Sequence, residues 1–167
     1  AELEKPALYR KMAGIISRLF TPTYGTHIMA NVHFQSDYGY VILVGIGSAF
    51  MLVWKSLQVG KMRRKFKINY PIMYSADNEL FNCYQRAHQN TLEVYPQFLF
   101  MLLVGGIQYP LLSATAGAVW IAGRIAYAKG YYTGDPQKRM QGGFNYIGLI
   151  TLLGTTSAFA FRLLNWV

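Results

Sequence analysis

Residues 38–59 read YGYVILVGIGSAFMLVWKSLQV, an apolar run about as long as the ~20 residues a helix needs to cross the hydrocarbon core of a bilayer. Three more such runs follow, from about Thr91 to Tyr109, Leu111 to Tyr132 and Phe144 to Val167. They lack the alternation of barrel strands, and a segment in lipid must satisfy its own backbone hydrogen bonds, so each is read as a helix. The expected fold class is an all-α integral membrane protein, a four-transmembrane-helix bundle over residues 36–167, preceded by an N-terminal amphipathic extension over residues 1–35.

Composition agrees. Of the 167 residues 53% are hydrophobic and only 14% charged, against roughly 25% charged in a soluble domain. That excludes an ordinary soluble domain, and the apolar content excludes a disordered chain. Lys and Arg number 16 against 7 Asp and Glu, a formal net charge of +9. The excess falls in two connections, Lys61–Lys67 and Lys138–Arg139, whereas Gln108-Tyr109-Pro110 carries no charge. In a four-span chain those two connections share a side, so the positive-inside rule puts both in the cytosol or its topological equivalent. The basic excess therefore marks a membrane surface, and no nucleic-acid partner is expected. A single cysteine, Cys83, excludes an intrachain disulfide framework and a cysteine-based zinc site.

The extension carries four more cations, Lys5, Arg10, Lys11 and Arg18, and between Ala7 and Phe20 apolar residues (Leu8, Met12, Ile15, Ile16, Leu19) recur at helical spacing. Such a stretch is too short and too charged to span. It suits a helix lying in the membrane interface or docking onto a partner.

Inside the later spans, Gly117, Ala118, Gly123, Gly148, Gly154, Ser157 and Ala158 are small enough for close helix approach, in the monomer or between copies. The polar residues are more informative. Arg86, Asn90 and Glu93 stand at i, i+4 and i+7 and line one helix face. An ionised group at membrane depth costs roughly 2.5–3.5 kcal/mol on insertion scales, so it faces a partner, a cavity or a ligand. The pair either ties helices together or meets a ligand. Pro96 removes a backbone donor just beyond them, and a kink is expected there. Arg124, Tyr127 and Tyr131 share a second face, with Arg124 either capped by neighbouring carbonyls or part of a binding site; Tyr132 is read as interfacial aromatic belt.

With Arg63 and Arg64, these residues offer cations, one carboxylate and several hydroxyls at one end of the bundle. A zwitterion with more carboxylates than amines fits, because guanidinium forks hold carboxylates and Glu93 can take an ammonium. Phosphate ligands are disfavoured for want of a glycine-rich cradle. His27, His33 and His88 have no metal-ligand spacing, and no metal is expected.

The strings RAHQNTLEVYP (Arg86–Pro96), YPIMYS (Tyr70–Ser75) and GYYTGDPQKR (Gly130–Arg139), in a four-span frame, resemble the MAPEG family, and within it the third microsomal glutathione S-transferase type. The resemblance implies a homotrimer with glutathione as co-substrate, held between neighbouring subunits by Arg63, Arg64, Arg86, His88, Asn90, Glu93, Tyr127 and Tyr131. It implies Arg139 as the thiolate-stabilising catalytic residue, with Lys138 close behind. The implied activity is glutathione transfer to lipophilic electrophiles from the bilayer, or peroxidase reduction of lipid hydroperoxides, in the endoplasmic reticulum or a mitochondrial membrane. Val94 departs from the tyrosine that leukotriene-synthase-type members have there, and His88 from their glutamine. The competing reading is an accessory, non-catalytic subunit of a larger membrane complex such as a mitochondrial respiratory assembly, among unrelated membrane subunits, with the cationic extension as its docking element. An ion or solute channel would need charges strung along a transmembrane path, whereas here they cluster towards one face.

Overall fold

The computed structural model describes residues 36–166; the expected extension over residues 1–35, with its amphipathic stretch and with His27 and His33, lies outside the described residues. Within the described part, regular structure is helical: α1 (Tyr38–Phe66), α2 (Glu79–Gln108), α3 (Pro110–Tyr131), a 3-10 helix (Pro136–Gly142) and α4 (Asn145–Leu163). Helices α1, α3 and α4 are long and apolar enough to cross a membrane. Helix α2 has the length, 30 residues, but its first half carries Glu79, Arg86, His88, Asn90 and Glu93.

At the polar end, the helices run beyond the apolar segments, and local chemistry sets where they stop. Arg63, Arg64 and Lys65 fill the last turn of α1, where cations oppose the negative end of the helix dipole, and Lys67 turns left-handed at φ 55° to end it. Helix α2 starts at Glu79 because Asn78 caps it, its side chain accepting from the Phe81 N–H at 2.8 Å, while Glu79 suits the positive end. Pro96 lies inside α2, which continues as one helix through to Gln108. A single residue, Tyr109, then joins α2 to α3, and Pro110 opens α3, a first-turn position where its missing N–H costs nothing.

The core lies along α2 and α3. Phe98 stacks on Trp120 with ring centroids 3.8 Å apart, and both are fully buried. The other helices close on this pair through small residues and hydroxyls. Gly106 receives Val41 of α1, Gly105 receives Thr155 and Thr156 of α4, and a Cβ on Gly148 would strike the Ala116 carbonyl of α3. Thr156 donates to the Met101 carbonyl at 3.0 Å, and the Ser48 and Tyr95 hydroxyls meet at 2.9 Å. Gly117, Gly123 and Gly148 are thus close-approach points. Within the single chain Gly154 meets no neighbour: a Cβ there would find nothing within 4 Å, because it lies on the open face of α4.

The two basic connections come to the same end, opposite Tyr109. Cys83 near the start of α2 packs against the Gly134 carbonyl between α3 and the 3-10 helix, Sγ to O 3.8 Å. Tyr132 is also drawn inward: its ring stacks on Tyr84 at 3.8 Å and meets Trp54 at 5.9 Å, so it packs between helices and is no belt residue.

Candidate functional site

The first half of α2 carries a polar chain that passes inward to α3 and α1. Arg86 Nη1 donates to Glu93 Oε1 at 2.7 Å, an ion pair whose side chains are each 42% exposed. Asn90 Nδ2 donates to Glu93 Oε2 at 3.2 Å. Arg124 Nη2, from α3, donates to Asn90 Oδ1 at 2.9 Å and to Thr91 Oγ1 at 2.8 Å. Lys55 Nζ, from α1, reaches the same Thr91 oxygen at 2.6 Å. Arg124 is 3% exposed and Lys55 not at all. The outer half of the chain is therefore open and the inner half sealed.

One turn further on, Arg124 lies over the Tyr127 ring at 4.4 Å, a cation–π contact, and Tyr127 meets Tyr131 edge-on at 5.2 Å. The 3-10 helix then returns along α3. Asp135 caps it by accepting from the Gln137 N–H at 2.9 Å, and it packs backbone to backbone on α3. A Cβ on Gly130 would strike the Lys138 carbonyl, and one on Gly142 the Gly123 carbonyl. This contact sets Arg139 near the tyrosines: its guanidinium donates to the Pro136 carbonyl at 3.0 Å and lies 5.9 Å from the Tyr131 ring. Beside it opens a cleft of about 380 Å³ lined in part by Tyr74, Glu79, Asn82, Arg86 and Tyr131.

Of the residues singled out in the sequence, Arg86, Asn90 and Glu93 form one bonded group, with Tyr127 and Tyr131 reached through Arg124, and Arg139 set against Tyr131. The others stand apart. Arg63 is buried in its own connection, donating to the Asn69 carbonyl at 3.5 Å and lying over the Tyr70 and Phe81 rings at 4.4 and 5.1 Å. Arg64 and Lys138 are exposed. His88 is half-buried, and its Nδ1 has no hydrogen-bond partner among the described residues. Arg124 proves central, bridging two helices and meeting side-chain oxygens where backbone carbonyls were one expectation. Two participants escaped the sequence reading, Thr91 and Lys55. Lys55 had a signal, a lone cation within an apolar span.

The sequence matches the model of the MAPEG family over residues 41–160. The chain belongs to the MAPEG family. Among relatives of this MAPEG protein, microsomal glutathione S-transferase 2 of Homo sapiens is 36% identical over 115 residues, covering 66% of this chain and 76% of the relative. Leukotriene C4 synthase of Bos taurus is 32% identical over 99 residues, 59% of this chain and 63% of the relative. An uncharacterized protein of Synechocystis, sll1147, is 40% identical over 87 residues, 52% and 61% of the two chains. Family and apolar helices together make this MAPEG chain an integral membrane protein.

Proposed function

We propose that this MAPEG protein is a membrane glutathione transferase in which four helices, α2 among them, cross the bilayer. The observation that carries the reading is the Arg86–Glu93 ion pair on the outer face of α2, 42% exposed on the single chain. Two charges left open on an intramembrane helix call for a partner, and glutathione supplies complementary groups: two carboxylates for guanidinium forks and one ammonium for Glu93. Tyr127 and Tyr131 offer hydroxyls beside them. A second copy packed against this face would complete the site, in keeping with the homotrimer that the family resemblance implies. Relatives named as glutathione S-transferases support glutathione as the co-substrate.

The chemistry asks little of the protein. A free thiol has a pKa of about 8.5, and its thiolate is the nucleophile. A guanidinium at the sulfur stabilises the anion, and Arg139, held over Tyr131, is the residue for that task. The thiolate then attacks the electrophilic carbon of a lipophilic substrate from the bilayer, the new carbon–sulfur bond forming as the leaving group departs with its electron pair. In the peroxidase version, two glutathiones reduce a lipid hydroperoxide to its alcohol and water and leave as the disulfide.

The test is binding and turnover by purified protein in micelles. Wild type should bind glutathione, show thiolate absorbance and conjugate an aryl halide. Arg86→Ala should lose binding, and Arg139→Ala should bind but form no thiolate. A folded wild type with neither binding nor turnover refutes the reading.

A further inference from the structure

Lys55 is a fully buried ionisable side chain that the proposed chemistry leaves without a task. It sits in the apolar heart of α1 with no exposed surface, where leucine would avoid the cost of inserting an ammonium. No carboxylate compensates it: among the described residues the one ion pair is Arg86–Glu93. Its hydrogen-bond partner is the Thr91 hydroxyl oxygen at 2.6 Å, the atom that also takes Arg124 at 2.8 and 3.3 Å. The Thr91 hydroxyl gives its own proton to the Ala87 carbonyl at 3.0 Å, so both lone pairs are left to the Lys55 and Arg124 donors. Two donors that share one acceptor crowd each other, and each restricts where the other can lie.

We infer that Lys55 is a positioning residue of the glutathione site: from α1, through Thr91, it holds Arg124 against Asn90 and so fixes the Asn90–Glu93 contact at the open end. This inference rests on the function proposed above. The path is unbroken. Lys55 and Arg124 converge on Thr91, Arg124 holds Asn90 at 2.9 Å, Asn90 holds Glu93 at 3.2 Å, and Arg86 closes the end at 2.7 Å. Asn90 is the joint. Its carbonyl oxygen faces Arg124, so its amide must face Glu93, and this orients the carboxylate towards Arg86 and a ligand ammonium. Without the Lys55 amino group on the Thr91 oxygen, Arg124 keeps Thr91 but gains freedom to swing about that acceptor, and the Asn90 orientation relaxes.

The test variant is Lys55→Met, which fills the same volume and leaves no buried group without an acceptor, since Arg124 still meets Thr91. Replacing a buried charge with an apolar side chain is often neutral or stabilising, so the thermal midpoint should hold or rise. Glutathione affinity should fall about 10-fold, as expected for members of one bonded network. In an Asn90→Ala background the same change should weaken binding less than about 2-fold, because the joint through which Lys55 acts is gone. A merely structural role would make the two effects multiply. Hydrogen exchange across residues 86–94, compared between wild type and Lys55→Met, should quicken in the variant and gives a readout that needs no ligand. Wild-type affinity in Lys55→Met, full multiplication of the two effects, or unchanged exchange overturns the inference. If wild type itself fails to bind glutathione, the function proposed above falls, and the exchange comparison decides the positioning role alone.

Discussion

Gly130→Ala tests how Arg139 is held. A Cβ on Gly130 would lie 2.6 Å from the Lys138 carbonyl carbon and 3.0 Å from the Arg139 nitrogen, and would meet the Lys138 carbonyl oxygen more closely still. Ordinary van der Waals contact begins at 3.4 Å. The obstacle is backbone, which cannot swing aside as a flexible side chain can. Either the 3-10 helix moves away from α3 by roughly 1 Å, or the strain remains in place. Overpacking of this kind costs about 1–3 kcal/mol, and a displacement of about 1 Å in a reacting group can cost on the order of 10²-fold in rate. The variant should thus melt several degrees lower in micelles, keep glutathione affinity within about 3-fold because Arg86, Asn90 and Glu93 are untouched, and lose most thiolate formation. Thermal unfolding, equilibrium binding and thiolate absorbance are measured on one preparation. A variant that melts lower but forms thiolate as wild type does would refute the assignment of Arg139. A variant unchanged in both would refute the packing argument itself.

Thr91→Val removes the acceptor shared by the two buried donors, Lys55 and Arg124, while keeping shape, and should cost about 1–3 kcal/mol or more in unfolding free energy; Thr91→Ser should recover most of it. Glu93→Gln deletes the carboxylate charge but keeps the geometry. Its glutathione affinity should fall about 10-fold or more, as for loss of a hydrogen bond to a charged group, while the melting temperature without ligand moves little because the amide oxygen can still accept from Arg86; a larger loss of stability than of affinity would contradict the ligand role. Gly148→Leu and Gly154→Leu form a contrast. The first drives a side chain into the Ala116 carbonyl and should prevent a stable fold in micelles, whereas the second meets open space and should express and melt as wild type.

The apolar runs betrayed the helices because burial in lipid leaves a hydropathy signal at every turn. Their extensions at the polar end left none: the start of α2 at Glu79 depends on the Asn78 cap, and the tail of α1 on cations that suit a helix terminus. Arg86, Asn90 and Glu93 could be paired from spacing alone, since i, i+4 and i+7 share a face. Lys55 and Thr91 could not, because their meeting depends on the rotation of α1 against α2, which no local spacing records. The inward placement of Arg63 was illegible for the converse reason. The residue stands in a basic cluster, but the aromatic rings of Tyr70 and Phe81 drew it inward. Gly154 is small like the contact glycines, and only packing reveals that no helix of its own chain faces it.

The one-residue link at Tyr109 bears on how the chain reaches its membrane in the first place. In the four-span arrangement proposed above, so short a connection favours insertion of α2 and α3 together, as a helical hairpin. Helix α2 is the least apolar of the four long described helices, yet within the hairpin Arg124 of α3 meets Asn90 and Thr91 of α2. Each arm masks polar groups of the other without help from α1 or α4. Biogenesis and ligand recognition therefore draw on the same hydrogen bonds, and a substitution made to alter one will register in the yield of the other.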